Sequence, residues 1–192
     1  NLSVVAYNLN TEGADAEDVK YMSDISADKT EFIFTVKDDV AEQVDLVITP
    51  LTLVNENPTG GDTRVPLRFF HLLSRVGFKV KSTSETDNDI TITSVRLKGD
   101  FYTTGKVDLK KSKAMPSAGT TATDLAFQTS KPEITPISKP ANPTEYELLP
   151  GATSFTTKAA SCYATPLQIT PEEGGCYMMV MPGVQETAEI TV

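Results

Sequence analysis

Few residues in this chain are of a type that does chemistry. Its only histidine, His71, lies in "VPLRFFHLLSRVGFKVKS" (65–82), and its two cysteines are Cys162 and Cys176. A zinc site or an imidazole-driven hydrolysis needs partners at set spacings, and the sequence has no second His, no CxxC and no HExxH. The "HLLS" at His71 also lacks the glycines of a nucleophile elbow. Asp87 and Asp89 flank Asn88 in "SETDNDI" (84–90), a calcium-loop pattern without the turn glycine or the distal glutamate of an EF-hand. Asp15, Glu17 and Asp18, and the pair Asp38 and Asp39, read as solvated acidic loops. "KKSK" (110–113) is too short for a nucleic-acid patch, and the glycines are too dispersed to cradle a phosphate. No catalytic, cofactor-binding or metal-ligating residue is assigned, so no cofactor and no enzyme activity are expected. His71 is expected to be structural, a neutral imidazole pointing inward and hydrogen-bonded within a sheet. Cys162 and Cys176 are too few for a disulfide framework; one bond between them and two free thiols are both compatible with the sequence.

The elements that carry these residues read as strands. Around His71 a helix would place Phe69, Leu72, Leu73 and Val76 on one face, whereas a strand would alternate Val65, Leu67, Phe69, His71 and Leu73 against the rest. Val65-Pro66 disfavours an earlier helix start, and Gly77 breaks a helix that reaches the end. "GFKVKS" alternates at period two, one residue out of phase with the first half. A bulge near Ser74 and Arg75 would supply that slip. The same slip recurs in "DITITSVRLKG" (89–99), where Ile90 and Ile92 share one parity and Val95 and Leu97 the other. Leu67, Phe69, Val76, Phe78, Val80, Ile90, Ile92, Val95 and Leu97 are therefore expected inside.

Further strand-length runs are "LSVVAY" (2–7), "TEFIFTV" (30–36), "VDLVITP" (44–50), "KVDLKK" (106–111), "EYELLP" (145–150), "TSFTTKA" (153–159), "CYMMVMP" (176–182) and "TAEITV" (187–192). In "CYMMVMP", Met178, Met179 and Met181 suit a core strand. Polar clusters such as "NENPTGGD" (55–62) divide the runs. No segment has a long, capped helical pattern. Residues 112–144 contain five prolines and read as a surface connection with little room for a central strand.

At 192 residues, with 39% hydrophobic side chains, the chain can bury a core as one large all-β domain spanning 1–192. The least poor internal boundary lies at 140–150. A net charge of −9 argues against nucleic acid, which rewards clustered Lys and Arg. No apolar run approaches the roughly 18 residues of a membrane-spanning helix. Asn1 is not a translation start, so further sequence is expected upstream.

Three ordered motifs go beyond composition: "VPLRFFHLLSRVGFKVKS", "ITITSVRLKGDFYTTGKVDL" and "YMMVMPGVQETAEITV". Together with "VDLVITP" before the first, they resemble the strands of fimbrillins and fimbrillin-like surface proteins of Bacteroidetes-type bacteria. The likeness runs from about residue 30 to the end, with Gly183 where a glutamine is common. The resemblance implies a transthyretin-like Greek-key β-sandwich of about 7–10 strands with little helix. It implies export through the periplasm, an outer-membrane or cell-surface location, and a lipid anchor upstream as the only membrane contact. It also implies a role as a fimbrial subunit or adhesin. Family members usually carry a second sandwich with a Trp-containing strand, and this chain has no Trp. It is therefore expected to be the N-terminal domain alone, with 176–192 leading into a missing or truncated second one, or else a degenerate or truncated member.

The expected partners are other fimbrial subunits, joined by strand addition, and host or bacterial surface ligands. A sheet that lacks an edge strand exposes backbone N–H and C=O groups and an apolar groove. Ile190 and Val192 share one parity in the last run and are the expected assembly contacts. The alternative is a lipid-anchored module that binds surface glycans, which would need an exposed aromatic platform. Phe101, Tyr102 and Tyr146 are its candidates.

Overall fold

Alternation in "TEFIFTV" becomes strand Glu31–Thr35, with Phe32, Phe34 and Val36 buried and Glu31, Ile33 and Thr35 half-buried. Strands of this kind dominate the computed structural model, which describes residues 2–4, 6–8, 21–54, 67–111, 113–114, 132–149, 154–169 and 177–192. The fold is all-β. Among the described residues, helix is confined to Tyr21, Ala159–Tyr163 and the 3₁₀ turns Val40–Glu42 and Leu109–Lys111. Nineteen short strands are present there, more than the expected seven to ten. Several runs that read as one strand are divided between sheets.

The chain forms two compact units, each drawn from three separate stretches. The first comprises 1–35, 44–73 and 104–138. Its largest sheet runs in the order Ile134–Ser138, Thr104–Asp108, Glu31–Thr35, Met22–Ser23, all antiparallel. Val107 sits between Phe32 and Ile134 in register, and all three are buried. The proline-rich stretch does supply a strand, and Pro136 lies on the outermost one, where its missing N–H removes no central ladder bond. A second sheet orders Leu2–Val4, Leu51–Val54 and Lys113–Ala114, the last pair parallel. A third orders Tyr7–Asn8, Val47–Ile48 and Phe70–His71. Tyr21, Met22, Leu46, Ile48, Leu72, Leu73 and Leu109 are also buried in this unit.

The second unit comprises 36–43, 74–103 and 139–192. Asp89–Ile92 pairs with Phe155–Lys158, whereas Arg96–Gly99 lies between Thr144–Glu147 and Ala188–Thr191. The phase slip in "DITITSVRLKG" is thus a change of partners at Thr93 to Val95. Ser74–Gly77 pairs with Tyr177–Val180, and Lys79–Val80 with Leu167–Gln168. One apolar cluster holds Ile92, Val95, Leu97, Phe101, Tyr146, Leu148, Leu149, Ile169, Met178 and Val180. Val76, Phe78, Val80 and Ile90 pack against it half-buried.

The expected inward parity across 67–73 does not hold. Phe69 is 47% exposed and Leu67 half-buried, while Leu72 and Leu73 are both buried. The opposite parity, Phe70 and Leu72, faces inward, and His71 faces out. The exchange of parity falls at Leu72 and Leu73, two residues before the expected bulge. The physical reason is desolvation: the expected phase would bury an imidazole among apolar side chains, whereas this one leaves the imidazole in water and buries Leu72.

Candidate functional site

The last strand, Ala188–Thr191, forms one edge of the sheet Thr144–Glu147, Arg96–Gly99, Ala188–Thr191. Its register sets Ile190 directly opposite Leu97, which is itself opposite Tyr146. Directly paired residues project from the same face of an antiparallel sheet. Leu97 and Tyr146 are core residues, 4% and 3% exposed, yet Ile190 on that face is 55% exposed and Val192 is 77% exposed. The core face of the sheet continues under this strand, and among the described residues nothing covers it. Val184, in the loop before the strand, is also exposed.

Backbone and charge hold the strand in place. Lys139 Nζ donates to Asp100 Oδ2 at 2.6 Å and to the Val184 carbonyl at 3.4 Å. Asp100 Oδ1 accepts from the Thr187 amide at 3.3 Å and from its hydroxyl at 3.5 Å. The bond from Lys139 is the chief cause that pulls the Asp100 carboxyl down to about 2, and it pushes the Lys139 ammonium up. Gly99 is required by packing. A Cβ there would lie 2.5 Å from Phe101 Cε2 and 2.9 Å from the Thr187 carbonyl oxygen.

The solvent face of the same sheet carries charge. Arg96 is opposite Glu147, and its Nε reaches Glu147 Oε2 at 3.0 Å. Glu147 also accepts from Ser94 Oγ and from the amides of Val95 and Leu149. Burial raises its carboxyl, but the bonds from Leu149, Ser94, Arg96 and Val95 outweigh that and hold it below the usual range. Lys98 stands between Glu145 on one side and Glu189 on the other.

Other residues singled out by type are placed elsewhere. His71 is exposed, its side chain 73% accessible, and Nδ1 contacts Asp45 Oδ2. The expectation of an inward imidazole is corrected: the ring lies on the solvent side, held through Asp45, whose Oδ1 is buried without a hydrogen bond among the described residues. The aromatic platform is not presented either. Phe101 and Tyr146 are buried and meet edge-to-face with ring centroids 5.9 Å apart, and the Lys139 ammonium lies 4.7 Å from the centre of the half-buried Tyr102 ring. The Asp87–Asp89 turn is occupied by Lys158, whose Nζ reaches the Asp87 carbonyl at 3.1 Å and Asp89 Oδ1 at 2.9 Å. Asp39 caps the Val40–Glu42 turn through the Ala41 amide. Lys110 pairs with Asp28 and Glu31. Met178 and Met181 are buried and Met179 half-buried, with its amide donating to Gln43 Oε1 at 2.7 Å. Cys162 is a buried free thiol. Cys176 and the Asp15, Glu17 and Asp18 cluster lie outside the described residues. Among the described residues no three His, Cys, Asp or Glu side chains converge to hold a metal, and no helix is long and apolar enough to cross a membrane.

The last strand of this all-β chain thus leaves one sheet edge and part of its core face uncovered among the described residues. A family model described as fimbrillin-like matches residues 1–192. The chain belongs to the fimbrillin-like family. Comparison with curated proteins and with solved structures finds no match. Fimbrillin-like membership supports the role of a fimbrial subunit that associates with other subunits in cell-surface fimbriae, within a family of structural pilins. Sequence reasoning pointed to Ile190 and Val192 but missed Lys98, Gly99, Asp100 and Lys139. The alternating "RLKGD" (96–100) carries the signal for the first three; Lys139, distant in sequence, leaves none.

Proposed function

We propose that this fimbrillin-like protein is a structural subunit of a surface fibre that assembles by strand addition, with Ala188–Thr191 passing to a neighbouring copy. The observation that carries the reading is Ile190. It lies on the core face beside Leu97 but stays half exposed. Main-chain ladder bonds would hold an exchanged strand, and Ile190 and Val192 would fill the groove of the acceptor. All four residues of the strand are exposed, so the resident copy buries little side chain and its release costs little apolar contact. The chain acts as one domain in this reading, and His71 is a structural residue that ties its strand to Asp45.

The test uses register partners. Arg96 and Thr191 are paired across the ladder on the solvent face. A chain carrying both Arg96→Cys and Thr191→Cys should crosslink within itself. A mixture of Arg96→Cys chains with Thr191→Cys chains should crosslink between copies under assembly conditions. Internal crosslinking with no bond between copies would refute strand exchange.

A further inference from the structure

We infer that Lys98 selects the strand added beside Arg96–Gly99, and that the strand selected is Ala188–Thr191 of a second copy, through Glu189. The inference rests on the strand-exchange reading above and names the chemistry of the partner: an extended acidic segment with an apolar residue next to the acid.

Lys98 is exposed and placed in register between Glu145 and Glu189. Its neighbour on that face, Arg96, is already committed to Glu147 at 3.0 Å and Glu145 at 3.5 Å. Among the described residues Lys98 makes no close ion pair, so its charge is free for the strand at the edge. The edge strand belongs to "QETAEITV" (185–192), which has acids and no base, and the whole chain carries a net charge of −9. The basic acceptor strand and this acidic edge strand are complementary in charge.

Register adds the second discrimination. A slip of one residue would turn Ile190 to solvent and bring Glu189 onto the core face beside Leu97 or Gly99. A slip of two in one direction sets Glu189 beside Asp100, a like charge. A slip of two in the other sets it beside Arg96, whose guanidinium is taken. Only the observed register gives Glu189 a free cation while Ile190 meets Leu97 and Ala188 meets Gly99. Lys98 therefore specifies both which strand docks and where it stops.

The experiment is a charge-swap cycle in the full chain. Amide hydrogen exchange across 188–191 is measured for the unaltered chain, Lys98→Glu, Glu189→Lys and the double variant. Each single variant should exchange roughly two- to fivefold faster, the scale of a like-charge cross-strand pair, and the double variant should recover. Unchanged singles, or a double variant as fast as the two effects combined, would overturn the inference. In mixtures, Arg96→Cys acceptors carrying Lys98→Glu should capture Thr191→Cys donors carrying Glu189→Lys over donors that keep Glu189. Equal capture of both donors also overturns it. Capture of neither by any acceptor, alongside coupling within the chain, overturns the exchange reading and with it the intersubunit role of Lys98, while the charge pair itself stands.

Discussion

Gly99 shows how far a single residue governs the edge. An alanine methyl there would meet the Phe101 ring at 2.5 Å and the Thr187 carbonyl at 2.9 Å. Since the backbone oxygen cannot turn aside as a side chain can, Gly99→Ala should destabilise the unit by about 1–3 kcal/mol and speed exchange at 187–191 more than at Ile92. Urea midpoints with residue-resolved hydrogen exchange would check both. Asp100 offers a pH test. Its folded carboxyl, at about 2, lies below an ordinary value of 3.8. A depressed value means that its contribution is present above the unfolded value and is lost as pH falls through the folded one. Protection of 184–191 should therefore decline between pH 3.8 and about 2, and Asp100→Asn should already lack that contribution at neutral pH. A pH series showing identical profiles for the two proteins would contradict the role given to Asp100. The exposure of His71 was not legible in the sequence. Its partner Asp45 lies 26 residues away, and only the fold brings the two together.

At the scale of elements, alternation was legible wherever one face of a strand was unambiguously apolar, as in Glu31–Thr35. It misled where both faces were. Phe69 and Phe70, and Leu72 and Leu73, offer apolar groups to either phase, so the sequence around His71 fits two registers and burial of the imidazole decides between them. Substitution separates the two phases. Leu72→Ala should cost about 2–5 kcal/mol as a buried truncation, whereas Phe69→Ser should stay within about 0.5 kcal/mol of the unaltered chain. Equal losses in denaturant melts would restore the original parity. Proline content obscured Ile134–Ser138, because "little room for a central strand" leaves room for an edge strand, which is what Pro136 occupies. The break in 89–99 was visible as a slip, but its cause, a change of partner from Phe155–Lys158 to Thr144–Glu147, lies in pairings distant along the chain.

For the whole molecule the question is which parts fold the chain and which parts join it to others. The cluster of the second unit draws on Ile92, Val95, Leu97, Phe101, Tyr146, Leu148, Leu149, Ile169, Met178 and Val180, and none of these belongs to the last strand. The strand contributes a ladder along Arg96–Gly99 and side chains that remain exposed. On the strand-exchange reading, stability and assembly are therefore separable by truncation after Glu186. The ladder bonds given up are solvent-facing or replaceable by water, at a net ~0.5–1.5 kcal/mol each, so the truncated chain should keep a cooperative transition at a lower midpoint. It should still accept a strand beside Arg96–Gly99, since Leu97, Lys98 and Gly99 remain. It should no longer donate one. In a mixture with full-length chains, the truncated chain should cap growing fibres, shortening them in proportion to its share, and alone it should form none. Fibres of normal length from the truncated chain alone, seen by electron microscopy or sedimentation, would show that these subunits assemble through another surface.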